Sequence, residues 1–267
     1  MDTKILLMRR SLLISIFLSS CALNLEDEIP LSLTADSSSF VILELNRAKQ
    51  EGYIITKDKK KYLVYGLPYV TKEQSLNLGE YNITIKPKFF GESRIEISDT
   101  NLVTPKLSDQ ERASAEYLKV KKIVKRQSNQ VVNDFDFIPP IDSVITSPFG
   151  KRRFINGNPR SPHMALDLRG AVGKEIFAPM AGKVVMAEEH FYGGNKIILD
   201  HGGGLFTAYS HLNKFNVEEG ESVEQGAIIG FVGMTGRVTG PHLHWEVYLN
   251  EERINPELLV DLEYVQD

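Results

Sequence analysis

Six histidines occur in this chain of 267 residues, and four of them sit in short motifs of its C-terminal part. His163-Met164-Ala165-Leu166-Asp167 sets a histidine and an aspartate four residues apart. Pro162 and Gly170 disfavour a helix there, and on a strand an even spacing keeps both side chains on one face. His242-Leu243-His244 repeats the device with a spacing of two, and Tyr209-Ser210-His211-Leu212 adds a histidine at the end of an apolar run. A catalytic zinc commonly keeps three protein ligands from His and Asp or Glu and leaves a fourth position for water. Four histidines and one aspartate therefore provide three ligands plus two further imidazoles for proton transfer. A lone His-x-x-x-Asp is more often a surface hydrogen bond than a metal site, and a lone His-x-His is only suggestive. Their coincidence in one segment makes Zn2+ the better reading. No His-Glu-x-x-His helix is present, so the base is not the glutamate of that protease class.

The remaining polar groups are read more blandly. His201, in Asp200-His201-Gly202-Gly203, reads as a turn-stabilising residue, and His190 beside Phe191 and Tyr192 as surface or groove rim. Glu246 either orients a ligand or is an exposed strand position. Arg237 and Asn195 read as loop residues. The run from Val217 to Gly226 looks like the repeats of biotinyl and lipoyl carrier domains. Lys183, however, lacks the flanking methionine of a modifiable lysine, so a carrier module is set aside.

The elements that must position these groups are mainly β. Phe40–Leu45, Tyr53–Thr56, Tyr62–Tyr65, Tyr81–Ile85 and Arg94–Ile97 have strand character, and Asn82-Ile83-Thr84-Ile85 alternates as a half-buried strand does. Ser108-Asp109-Gln110-Glu111 has the spacing of a capping box, and Ala113, Tyr117, Val120 and Val124 follow at helical spacing. This predicts a helix over about 109–126 that separates two domains. From Ile141 the chain becomes glycine-rich, with β-branched runs such as Lys196-Ile197-Ile198-Leu199-Asp200 between turns, and no helix-length amphipathic segment before Asn250. The expected organisation is a signal segment 1–20, a tether 21–38, a small all-β domain 39–105, a linking helix and linker 106–138, and a glycine-rich antiparallel β catalytic domain 139–262.

Lys4, Arg9 and Arg10 precede the apolar run Leu12–Leu18 and then Leu18-Ser19-Ser20-Cys21, the layout of an export signal. The run is too short to span a bilayer. Leu-Ser-Ser-Cys resembles the lipobox of bacterial lipoproteins, which implies acylation of Cys21 and a lipid anchor at the cell envelope, facing the periplasm. Ala22 after the cysteine resembles the pattern associated with the outer membrane. Cys21 is the single cysteine, so neither an intramolecular disulfide nor a thiolate cluster is available. The net charge is −4, and no clustered basic surface suited to nucleic acid is evident beyond Lys57–Lys61 and Lys119–Arg126.

Four segments occur in order: Ser147-Pro148-Phe149-Gly150-Lys151-Arg152, His163–Asp167, Thr207-Ala208-Tyr209-Ser210-His211-Leu212 and Thr235–Glu246. Together they resemble the motifs of the M23 family of peptidases, the lysostaphin and LytM type, over about residues 141–258. The resemblance implies a zinc endopeptidase acting on the stem peptides or peptide cross-links of peptidoglycan. It implies His163, Asp167 and His244 as zinc ligands, with His242 and His211 flanking the catalytic water; either of the two can be the base and the other the oxyanion partner. The family usually has glycine where this chain has Ala165. If that position needed φ > 0, alanine would be strained. Members that lose zinc ligands act as non-catalytic regulators of other hydrolases, and the retention of all five residues argues against that reading here. The upstream β domain, which resembles the N-terminal region of some Gram-negative members, is expected either to cover part of the groove or to serve as a spacer.

Overall fold

The computed structural model describes residues 31–45, 52–97, 103–129 and 134–264. The signal segment, Cys21 and linker residues 130–133 lie outside the described residues. Seven strands come first: β1 (Leu31–Asp36), β2 (Phe40–Glu44), β3 (Tyr53–Lys57), β4 (Lys60–Gly66), β5 (Gln74–Leu78), β6 (Tyr81–Lys86) and β7 (Glu92–Ile95). Helix α1 (Leu107–Val124) follows. Then come β8 (Ile145–Ser147), β9 (Arg152–Ile155), β10 (Asn158–Arg160), β11 (Leu166–Arg169), β12 (Glu175–Phe177), β13 (Gly182–His190), β14 (Gly194–Gly202) and β15 (Leu205–Phe215). The last strands are β16 (Ser222–Val223), β17 (Ile228–Val232), β18 (His242–Leu249) and β19 (Glu252–Ile254). The mainly β class expected from the sequence is what the chain adopts.

The backbone of the C-terminal part is a ten-stranded sheet in which β16, β13, β14, β15, β18, β11 and β8 run side by side. Strands β14 and β15 are buried along almost their whole length because both of their faces are covered. Ile197, Leu199, Leu205 and Tyr209 point into the main core with Trp245 and Leu243. Ile198, Phe206 and Ala208 point the other way, onto Val120, Ile123 and Val124 of α1. Side chains alternate along a strand, so apolar residues at both parities require a layer on each face.

This corrects the expectation that the helix separates two domains. Its last two turns lie on the sheet, where burying three aliphatic side chains contributes on the order of 1.5–3 kcal/mol each. The capping box is not formed either. The helix begins at Leu107 after Lys106, with no side-chain cap, so Ser108 already has helical geometry and cannot cap it. Strand β1 is a second correction. It lies inside the stretch read as a tether and pairs in parallel with β6, where its residues Leu33 and Ala35 join a small core of Val41, Leu43, Leu67, Ile83 and Ile85.

Several contacts among the described residues fasten the upstream strands to the C-terminal sheet. Tyr53 and Val64 belong to the main core, where Tyr53 meets Phe135 edge-on. The amide of Gly66 donates to Asn250 Oδ1 at 2.6 Å. Strand β7 pairs in parallel with β9, so the β9–β10 hairpin belongs to a sheet shared with the upstream region. Among the described residues no helix is long and apolar enough to cross a membrane.

Candidate active site

Three neighbouring strands set the site. In the β11–β18 ladder Asp167 stands opposite His244 and Arg169 opposite His242, while Ser210 of β15 flanks His244 from the other side. His242 and His244 therefore share a face with Asp167, and Leu243 between them is fully buried in the core. His163 lies before β11, not on a strand as the even spacing suggested. Its backbone is held by two bonds to the preceding loop, His163 N–H to Lys151 O (2.9 Å) and Gly150 N–H to His163 O (2.6 Å). Gly150 has φ of 79°, and a Cβ there would lie 2.4 Å from the Phe90 ring, so this loop is packed directly beneath an upstream aromatic. Ala165 is fully buried and is not among the residues with positive φ, so the strain that alanine could have caused there does not arise.

The three donor atoms form a tight triangle. His163 Nε2 is 3.0 Å from Asp167 Oδ1 and 3.2 Å from His244 Nδ1, and the last two are 2.8 Å apart. Hydrogen bonds prefer nearly linear geometry, so three mutually touching polar atoms cannot all be satisfied by protons between them. A cation at the centre satisfies all three. The edge of a tetrahedral zinc site with bonds of 2.0–2.1 Å is about 3.3 Å, close to the spacings found. His163 Nδ1 faces the Pro148 carbonyl and Ser147 Oγ, both at 3.3 Å. A carbonyl only accepts, so the proton sits on Nδ1 and Nε2 turns its lone pair inward.

The electrostatics agree. Burial opposes ionisation of Asp167, but His163 and His244 override it by charge and hydrogen bonding and hold the carboxyl well below its ordinary range. Burial lowers His244, with Asp167 partly offsetting it. Burial, assisted by His244 and His242, lowers His211 to about 3. A carboxylate held anionic and a His244 pushed by burial towards its neutral form are the states a divalent cation favours in its ligands.

His211 and His242 stand beside this triangle, their rings 5.0 Å apart, and with His244 they form a second group of mutually close nitrogens. His242 Nε2 approaches Asp167 Oδ1 to 3.7 Å. In both rings Nδ1 meets a carbonyl, Thr235 O for His211 and Gly240 O for His242, each at 2.9 Å. Both imidazoles thus carry hydrogen on Nδ1 and leave Nε2 free to take a proton. His211 has φ of 68°, a left-handed conformation unusual for a non-glycine residue and of the kind that clusters at functional sites.

Sequence reasoning missed the residues that hold His211. Asn195, read as a loop residue, belongs to β14 and donates its side-chain amide to Leu212 O at 3.0 Å. Its backbone N–H donates to Thr235 Oγ1, which itself donates to Leu212 O, so the Thr235 carbonyl is clamped where it meets His211. Gly194 has φ of 60°, and a Cβ there would lie 2.4 Å from the Thr235 backbone, which is why the turn approaches so closely. Nothing in the spacing of Asn195 and Thr235 announced this.

Three other residues need correction or placement. His190 is buried rather than on the surface, with Nε2 3.0 Å from Glu188. His201 lies within β14 rather than in a turn, bridging Ala181 O and Thr207 Oγ1 at 2.8 Å each. Glu246 is buried and bound by Lys196, Arg253 and Tyr248, so it acts on His244 only through its charge. A cleft of about 260 Å³ opens over His163 and His244, and all its lining residues lie between 153 and 253.

A β sheet presenting this His/Asp cluster defines the class: residues 161–256 match the model of Peptidase family M23, and the chain carries an M23 peptidase domain. In particular, it is 30% identical over 187 residues to the peptidoglycan DD-endopeptidase ShyB of Vibrio cholerae, covering 68% of this chain and 43% of that protein. It is 40% identical over 119 residues to the peptidoglycan DD-endopeptidase ShyA of the same organism, covering 43% of this chain and 28% of that one. The chain thus spans less than half the length of either relative. A crystal structure described as a peptidase M23 from Pseudomonas aeruginosa superposes with a TM-score of 0.66 at 25% identity, covering 86% of this chain and 94% of that one.

Proposed function

We propose that this protein is a zinc-dependent endopeptidase that hydrolyses peptide bonds of peptidoglycan. The observation that carries the reading is the triangle of His163 Nε2, Asp167 Oδ1 and His244 Nδ1, each pair within 3.2 Å, with two Nδ1-protonated imidazoles beside it. The names of ShyA and ShyB, peptidoglycan DD-endopeptidases, support the substrate class.

His163, Asp167 and His244 hold the cation. When bound, it supplies Lewis acidity, polarising the scissile carbonyl and acidifying water near neutral pH. Nε2 of His242 or His211 accepts the proton of the attacking water and returns it to the leaving amine. The other imidazole must carry hydrogen on both nitrogens to donate from Nε2 to the oxygen on which negative charge develops. Because the carbonyls of Thr235 and Gly240 hold Nδ1–H of both rings, Nε2 is the nitrogen each ring offers for proton transfer.

Digestion of purified sacculi by the soluble protein tests this. Release of peptide fragments that a chelator stops and zinc restores is the expected result. Fragment release indifferent to chelation overturns the zinc reading, and intact sacculi overturn the hydrolase reading. We further propose, from the sequence alone, that acylated Cys21 anchors the protein at the envelope. Cys21→Ala should move it from the membrane fraction to the soluble one, and continued membrane association overturns the anchor.

A further inference from the structure

Beside the metal-binding triangle the cleft is lined by Arg153, Arg160, Arg237 and Arg253, and its one carboxylate is Glu246. Arg253 and Glu246 neutralise each other, Nε to Oε1 at 3.1 Å, and Lys196 completes that pair. The other three arginines form a different group. Arg153 of β9 and Arg160 of β10 are direct cross-strand partners in the hairpin. Like charges so placed repel, and a hairpin selected for stability alone would not keep them. Arg153 is half-buried, with its Nε enclosed and without a hydrogen-bond partner. Among the described residues neither Arg153 nor Arg160 forms an ion pair with a carboxylate, although Arg160 Nη2 donates to Val103 O at 3.2 Å. The Arg237 guanidinium stacks on Tyr192 at 4.0 Å, which holds its plane still. Burial, together with the charges of Arg153 and Arg160, lowers Arg237 below the ordinary arginine range, as expected if the three share one region.

An enclosed guanidinium donor beside a second arginine is costly until an anion arrives, and the fork of an arginine fits a planar carboxylate with two parallel hydrogen bonds. We propose that Arg153, Arg160 and Arg237 form a carboxylate-recognition subsite that selects peptides bearing a free carboxylate close to the scissile amide. The inference rests on the peptidase reading of the adjoining site. The carboxylate has two possible sources, the C-terminus of the peptide or an acidic side chain flanking the scissile bond, and both offer the same planar anion.

Three synthetic peptides sharing one scissile bond distinguish the cases: one with both carboxylates free, one amidated at the terminus and one amidated at the side chain. The zinc-loaded full chain should cleave the free acid roughly tenfold or more faster, in kcat/KM, than one of the amides, and the amide that loses identifies the source. Arg160→Gln, at an exposed position, and Arg237→Gln should bring that acid-to-amide ratio close to one, mainly through KM. Arg160→Lys should recover part of it. Calorimetric binding of the same peptides separates this inference from the reading beneath it. Acid-selective binding without cleavage sinks the peptidase reading and keeps the subsite. Equal handling of acid and amide by the unaltered protein, or an unchanged ratio in Arg160→Gln and Arg237→Gln, overturns the subsite.

Discussion

Asp167 and His244 are register partners across β11 and β18, and that pairing brings Oδ1 of one to 2.8 Å from Nδ1 of the other. The ladder thus delivers two donor atoms to one point, and His163 reaches the same point from the loop. Purified protein is expected to hold about one zinc per chain by elemental analysis. His163→Ala, Asp167→Ala and His244→Ala should each lose it and melt at a lower temperature, because a ion bound only by the native state stabilises it. Full zinc occupancy in all three variants would refute the ligand set.

His211 and His242 should behave differently from the ligands. His211→Ala and His242→Ala are expected to keep zinc while turnover falls about 10²–10⁴-fold, the usual cost of removing a general base or acid. Near-normal turnover in both, at full zinc content, points to another proton carrier.

Thr235 offers a test of positioning. Thr235→Val removes the hydroxyl that joins Asn195 N–H to Leu212 O, loosening the carbonyl that fixes His211. Activity should fall by roughly 10–100-fold with zinc retained, the range typical of lost outer partners in metal sites. Unchanged kcat in a zinc-replete Thr235→Val protein would show that the clamp is dispensable.

Deleting the upstream strands should destabilise the catalytic sheet instead of unmasking it. The cleft is lined only by residues between 153 and 253, whereas Tyr53 and Val64 sit in the main core. A form beginning near Phe137 is expected to melt lower and to cleave sacculi no faster than one beginning near Leu25. A faster short form at equal zinc content would mean that the upstream region covers the groove.

His201 makes stability depend on acidity. Burial lowers it to about 4, against an ordinary histidine value of 6.5. The unfolded chain therefore takes up this proton more readily than the folded one below pH 6.5. The contribution is complete above that pH, is lost as pH falls towards about 4, and changes no further below it. Integrated over that window it amounts to about 3 kcal/mol. Urea midpoints measured from pH 7.5 to 4 should fall less steeply for His201→Gln than for the unaltered chain, and parallel slopes would contradict the assignment.

The sequence alone determined which atoms could bind a metal. His163, Asp167, His211, His242 and His244 were legible because motifs that are weak singly coincide in one glycine-rich segment and resemble the M23 series in order. The mainly β class was legible for a related reason, since β-branched runs between glycine turns encode local strand character. Tertiary structure decided what holds those residues in place. Thr235 and Asn195 matter because the 194–195 and 235–236 segments touch, a contact 40 residues long-range in the chain and invisible to local pattern. The helix encoded its own amphipathic spacing, but only strands β14 and β15, which carry apolar side chains on both faces, could tell it to lie flat on the sheet rather than bridge two domains. Strand β1 escaped notice because its ladder partner β6 lies fifty residues downstream, from Leu31 to Tyr81. The arginine group likewise exists only once the β9–β10 hairpin folds over the site. Local chemistry is written in residue types and spacing, whereas the supports of that chemistry depend on pairings that form only when the whole sheet closes.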